Sequence, residues 1–310
     1  MPPTPSKPQP RAASRRLANA IGFAARWGSA ALLLLLVLVG LTAMRAVWPS
    51  AWAVPAEKPP SSAFFTNLPE VLNIAHRGAS GAAPEHTLEA YELALARGAH
   101  VLELDVHMTL DEVLVVAHDA DLLRTSGLAL RIAELPWHDL RTLAGSNAPL
   151  TLDAVFERFP NVPLNLEIKP KSDAAARALA RSIEQHSAFE RVLVASFHAT
   201  TLESFRSASG GRVATSAALR ETVSFLLCYL LDRPCRPPFV ALQLPFDFPL
   251  WLGRPEFVRF AHAQGLVVHY WTVDDPDEMA RLLAAGADGV MTNHPERLTA
   301  LLSPPAPQAQ

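Results

Sequence analysis

Two short runs, VLELDV at 101–106 and PLNLEIK at 163–169, alternate apolar and polar side chains with the period of a β-strand. Side chains at i and i+2 of a strand share a face, so Leu102, Leu104 and Val106 point one way and Glu103 and Asp105 the other. In the second run Leu164, Leu166 and Ile168 take the apolar face, and Asn165, Glu167 and Lys169 take the polar one. If helices cover the apolar faces, the other faces must meet inside the sheet. Adjacent strands of this kind deliver three carboxylates and an ammonium to one interior. The interior of a closed barrel normally holds packed branched aliphatics instead.

The rest of the chain supplies the staves. Strand-like runs occur at 71–76, 101–106, 163–169, 191–197, 212–219, 239–246, 266–273 and 288–294, mostly separated by helix-like segments such as TLEAYELALARG and DPDEMARLLAAGA. Eight such units in roughly 230 residues are the arithmetic of a (β/α)8 TIM barrel. One connection is longer than the pattern needs. Residues 107–150 read as an inserted segment after the second strand, rising above the C-terminal mouth and carrying His118-Asp119 at the end of its own β-like run. That mouth is where barrels of this class hold their active sites.

Ahead of the barrel, residues 1–26 carry Lys7, Arg11, Arg15, Arg16 and Arg26, and the first acidic residue is Glu57. The 18 residues between Arg26 and Arg45 are uncharged. At about 1.5 Å per residue they nearly cross a hydrocarbon core of roughly 30 Å, and snorkelling past Arg45 closes the gap. Residues 27–48 are therefore expected to form one transmembrane helix, with 1–26 as a basic cytoplasmic N-terminus and 49–69 as a Pro- and Ser-rich linker. The barrel, 70–302, then lies outside the cytoplasm in the periplasm or at the cell surface, and 303–310 form a disordered tail. A cleaved secretory signal ending at the Ala51–Ala53 site is the alternative, and it exports the same domain. In an exported domain Cys228 and Cys235 either pair across their short loop or stay as separate thiols. A formal charge of −3 and the lack of a basic stripe argue against a nucleic-acid partner.

Burying isolated charges costs several kcal/mol each even after relaxation. Three acids against one lysine leave an excess of negative charge, and an all-oxygen cluster suits a hard divalent cation, Mg²⁺ or Ca²⁺. A salt-bridge layer with Lys169 and Arg77 is the competing reading. His76 and Arg77 end the first strand; consecutive residues cannot both follow the pleat inward, so the Gly78 turn is expected to re-aim one of them. Arg77 offers a planar fork for phosphate oxygens, and His76, with His118 at a second strand end, is a candidate acid or base. Such a set fits hydrolysis of a phosphate ester.

The stretches AHRGASGAAPEHTLEAY, ELDVHMTLDEVLVVAHD, LNLEIK, VHYWTVDD and GADGVMTNHPERL, in this order over residues 71–299, resemble the glycerophosphodiester phosphodiesterase family. The resemblance implies a (β/α)8 barrel with an insertion after its second strand, and a small-molecule glycerophosphodiester as substrate. It also implies Glu103, Asp105 and Glu167 as divalent-metal ligands, and His76 and His118 as the acid–base pair. Arg77 and Lys169 would hold the phosphate, Trp271 would pack against the glycerol, and Glu85 would belong to the substrate site. The products implied are sn-glycerol 3-phosphate and an alcohol.

Two positions depart from the family pattern. His86 stands where Asn is commoner, either as an extra ligand or, the reading preferred, as a poorer cap for the next helix. Asp111-Glu112 stands where Asp-Gly is usual, which suggests a different turn. The apolar segment ETVSFLLCYLLDRPCRPPFVALQLPF raises a second substrate class, lysophospholipids, and with it a lysophospholipase D activity. A silent phosphodiester-binding barrel is a third reading, but the His, Glu and Asp positions are all retained. Ser196, His198, Gln243 and His269 either line the pocket or, the reading preferred, serve barrel packing with a polar partner, and His107, His138, His186, His262 and His294 are expected to be surface or structural.

Overall fold

The computed structural model describes residues 62–247 and 250–303. The expected N-terminus 1–26, the span 27–48 and residues 49–61 of the linker lie outside the described residues, as does the tail after Ser303. Among the described residues no helix is long and apolar enough to cross a membrane.

Eight parallel strands form the barrel wall: β1 (Leu72–Ala75), β2 (Val101–Met108), β5 (Leu164–Ile168), β6 (Val192–Ala195), β7 (Ala214–Thr215), β8 (Ala241–Pro245), β9 (Val267–Trp271) and β10 (Gly289–Thr292). Their order is β7-β6-β5-β2-β1-β10-β9-β8. The seam closes between β7 and β8 through a Ser216–Ala241 bridge, with Ala217 N–H donating to Ala241 O and Val240 N–H to Thr215 O. Each of the eight expected runs is thus a stave. The run at 212–219 gives only two strand residues, because the chain leaves it for a helix at Leu219.

The helices are α1 (Leu88–Ala96), α2 (Leu123–Ser126), α3 (Trp137–Ala144), α4 (Leu152–Arg158), α5 (Asp173–Gln185), α6 (Ala199–Ala208), α7 (Leu219–Leu230), α8 (Pro255–Ala263), α9 (Pro276–Ala284) and α10 (Pro295–Leu302). Side-chain oxygens cap several of them: Thr87 accepts from Ala90 N–H, Ser172 from Ala175 N–H and Asp275 from Asp277 N–H. Leu102, Leu104, Val106, Leu164, Leu166 and Ile168 are buried in one cluster with α1, α4 and α5, as strand alternation requires.

The insertion carries β3 (Leu114–Val116), antiparallel to β2 with Val106 opposite Val116, and β4 (Leu150–Thr151) beyond it. It has its own small core of Val115, Leu122, Ile132, Leu140 and Ala144. Its first turn holds Glu112 at φ 64°, the left-handed conformation in which glycine is at ease.

The expected linker ends earlier than 69. Ala63–Phe65 form a 3₁₀ turn whose Phe64 is buried with Leu72, Ile74, Val101, Leu193, Ala241, Val267 and Met291, closing the N-terminal end of the barrel. Phe65 and Leu68, partly buried, pack against the same cluster, so residues 64–68 contact the barrel. His269, fully buried on the inner face of β9 with Phe65 edge-on at 6.1 Å, has no hydrogen-bond partner on either ring nitrogen among the described residues.

Burial holds the His269 pKa at about 4, against 6.5 for an ordinary histidine. The folded state resists its protonation, so this stability is present above pH 6.5 and is lost as pH falls toward 4. Urea melts at pH 7.5 and 4.5 are expected to show His269→Leu losing less stability than the parent, by about 2–3 kcal/mol. Equal losses would mean the ring is solvated or partnered.

Cys228 and Cys235 are joined in a disulfide, Cα–Cα 6.3 Å, tying the last turn of α7 to the loop before β8. The pairing answers the alternative that sequence left open. Phe225 of α7 packs against Phe239, Phe257 and Phe260, with ring centroids 5.5–6.5 Å apart. The opposite face, with Leu219, Val223 and Leu227 at helical spacing, is exposed.

Candidate active site

β1 ends at Ala75, and the chain turns through Arg77 (φ 57°) and Gly78 (φ 81°). A Cβ at Gly78 would meet the Ala90 backbone at 2.8 Å, so glycine is required there for both reasons. The left-handed turn begins one residue before the expected Gly78, at Arg77 itself. That is how two consecutive side chains, His76 and Arg77, both reach the same cavity. A left-handed arginine costs about 1–2 kcal/mol, and its backbone N–H is aimed at Glu103 Oε2, 2.9 Å away.

β2 and β5 pair with Asp105 opposite Glu167 and Glu103 opposite Asn165. Oxygens of Glu103, Asp105 and Glu167 lie within 4.8 Å of one another. Lys169 Nζ stands 3.3 Å from Asp105 Oδ1 and 3.2 Å from Glu167 Oε1. Arg77 Nε stands 3.3 Å from Asp105 Oδ2, yet this buried nitrogen has no hydrogen-bond partner among the described residues.

The two cations therefore serve Asp105 and Glu167 and leave Glu103 with a main-chain donor. Burial, then the charges of Asp105 and Glu167, push the Glu103 carboxyl well above the usual range. Burial also raises Glu167, against the pull of Lys169. Burial works the same way on Asp105, but the His86 hydrogen bond and the nearby cations outweigh it and hold that carboxyl low. Three clustered carboxylates with one uncompensated charge and an all-oxygen donor set fit a divalent cation. The competing salt-bridge layer accounts for two of the three.

Each of the two expected acid–base imidazoles has Nδ1 committed to an oxygen. His76 Nδ1 is 2.7 Å from Asn293 Oδ1, and Asn293 Nδ2 donates to Asp274 Oδ2 at 2.7 Å, which fixes the amide orientation. His118 Nδ1 is 2.7 Å from Asp119 Oδ1. Both rings therefore leave Nε2 as the nitrogen for the cavity they line. Burial lowers the His76 pKa to about 4, with the Asn293 hydrogen bond opposing it, so this ring is neutral in the resting site.

The cavity, about 370 Å³, is lined by His76, Arg77, Glu103, Asp105, His118, Glu167, Lys169 and Trp271, eight of the nine expected site residues. Glu85 is the exception. Its carboxylate takes Arg124 Nη2 at 2.5 Å and Arg77 Nη1 at 3.3 Å, standing behind the wall as a support for the arginine. Arg124 also reaches Asp119 Oδ2 at 2.6 Å, so one chain of charges links His118 to Arg77. Ser196 and Gln243 line the cavity as well, with partners in Ile168 O and Asn165 Oδ1.

Sequence reading missed Asn293, Asp274, Asp119 and Arg124 as supports. The first three sit inside or beside the quoted motifs, but nothing in residue type alone assigns a second-layer partner.

Acidic, basic and imidazole groups converging on one mouth of a (β/α)8 barrel fit a phosphoric diester hydrolase. The chain belongs to the glycerophosphoryl diester phosphodiesterase family, whose family model matches residues 76–297. It is 33% identical over 245 residues to a probable glycerophosphodiester phosphodiesterase 2 of Mycobacterium tuberculosis, covering 74% of this chain and 90% of that one. The human lysophospholipase D GDPD3 is 27% identical over 299 residues, 80% of this chain and 94% of its own. Among solved structures, an Oleispira antarctica phosphodiesterase in complex with the product sn-glycerol-3-phosphate superimposes with a TM-score of 0.62 at 26% identity, covering 75% and 96% of the two chains.

Proposed function

We propose that this enzyme hydrolyses glycerophosphodiesters to sn-glycerol 3-phosphate and an alcohol with the help of a divalent cation, outside the cytoplasm and at a membrane. The observation that carries the chemistry is the cluster of three carboxylates beside Arg77, Lys169 and two Nδ1-anchored imidazoles in one cavity. The location rests on the basic and apolar pattern of residues 1–48.

Glu103, Asp105 and Glu167 would hold Mg²⁺ or Ca²⁺, which when bound supplies polarisation of the phosphate. Arg77 and Lys169 take the non-bridging oxygens. Of His76 and His118, one accepts the proton of the attacking hydroxyl at Nε2 and the other gives a proton to the departing alkoxide. The attacking hydroxyl belongs to water or to the neighbouring carbon of the glycerol. Trp271, held edge-on by Phe197 at 6.1 Å, packs against the glycerol carbons.

A second reading has a specific observation behind it. Leu219 and Phe197 line the cavity, and Val223 and Leu227 continue the apolar surface along α7, each of the four about half exposed. That is a path for one acyl chain leaving the mouth, and the lysophospholipase D relatives favour a monoacyl substrate.

One assay tests both. The full chain, purified in detergent, is expected to turn over glycerophosphocholine only after Mg²⁺, Ca²⁺ or Mn²⁺ is restored to chelator-treated enzyme. Turnover unaffected by chelator would sink the metal. Leu227→Ser, away from the cavity, is expected to lower the rate on lysophosphatidylcholine about tenfold and leave glycerophosphocholine alone. Equal rates for parent and variant on the lyso substrate would remove the second reading.

A further inference from the structure

His86 is not a helix cap. Thr87 caps α1, and His86 sits one residue earlier at φ 59°, a left-handed turn that swings its ring into the protein, where it is 6% exposed. Nor is it poised as a fourth ligand, since both nitrogens are engaged. Nε2 lies 3.0 Å from Asp105 Oδ2 and Nδ1 lies 2.9 Å from the Tyr91 hydroxyl. The carboxylate of Asp105 has no proton to give, so Nε2–H donates to Oδ2. In the neutral ring Nδ1 is then the acceptor, and Tyr91 O–H donates to it.

Tyr91 is fully buried on α1, its ring edge-on to Phe159 at 6.0 Å, so the far end of this relay is anchored in the helix layer. The near end holds Oδ2 of Asp105 and leaves Oδ1 turned toward Lys169 and Glu167.

We propose that His86, locked by Tyr91, is a positioning residue that sets the rotation of the Asp105 carboxylate for cation binding. The inference rests on the metal reading given above. Partners of this kind behind a ligand commonly change metal affinity by about 10–100-fold when removed.

The experiment is Mn²⁺ binding to the full chain by calorimetry, with melting temperature of the metal-free protein measured alongside. His86→Ala is expected to weaken Mn²⁺ about 10–100-fold. His86→Gln, whose amide nitrogen can occupy the place of Nε2, is expected to recover affinity to within about threefold of the parent, a gain that mere packing would not give. Tyr91→Phe removes one oxygen and is expected to cost about fivefold.

Unchanged affinity in His86→Ala overturns the proposal, and so do equal losses in the Ala and Gln variants. If His86→Ala does not fold, Tyr91→Phe carries the test, and parental affinity there overturns it. A parent that binds no Mn²⁺ brings down the metal reading as well, whereas a parent that binds while the variants match it brings down the positioning role alone.

Discussion

Glu103→Gln is expected to make the metal-free protein more stable and the enzyme inactive. The carboxylate is buried beside Asp105 and Glu167 and receives one hydrogen bond, from Arg77 N–H. An amide keeps that bond through its oxygen and removes the unpaired charge, which is worth on the order of 1–3 kcal/mol.

The pH dependence gives the sign. Burial and like charge raise the folded pKa of Glu103 above its unfolded value, so its contribution is fully present in acid and fades as pH rises. The advantage of Gln should therefore grow from pH 5 to pH 8. Mg²⁺ or Mn²⁺ is expected to raise the melting temperature of the parent and not that of the variant, whose kcat should fall by about 10³. A variant no more stable than its parent at pH 8, or one still stabilised by cation, would show that Glu103 is compensated some other way.

His76→Ala and His118→Ala should each lower kcat by about 10²–10⁴ with little change in KM, the range for removing a positioned proton donor or acceptor. If the two act on one reaction coordinate, as proposed, the double variant should be scarcely worse than either single one. Asp119→Asn should fall between parent and His118→Ala, since it leaves the ring and disturbs what holds Nδ1. Rates within tenfold of the parent for either Ala variant would exclude that ring from proton transfer.

Much of this site can be read from period-two alternation, because inward and outward residues of a strand are set by geometry before any packing is known. Glu103, Asp105, Glu167 and Lys169 are legible for that reason, and the eight staves follow from their spacing. What is not legible depends on dihedral angle or on covering. His86 looks like a cap until φ 59° sends its ring toward Asp105. Arg77 looks like a residue awaiting the next glycine, yet it makes the turn itself. The composition of α7 marks it as apolar without telling that one face packs on phenylalanines and the other meets solvent. Glu85 lies close to the site in sequence motif, but its two arginine neighbours take its oxygens before a substrate could.

The Cys228–Cys235 link has a practical corollary for anyone producing the enzyme. Such bridges last where thiols are kept oxidised and are rare in an ordinary cytosol. Material made in a reducing host would carry two free sulfhydryls at the end of the helix that borders the mouth, and its behaviour toward fatty ligands would then be a property of the preparation. Secretion into an oxidising compartment, with reductant kept out of the buffers, is the condition under which substrate preferences are worth comparing.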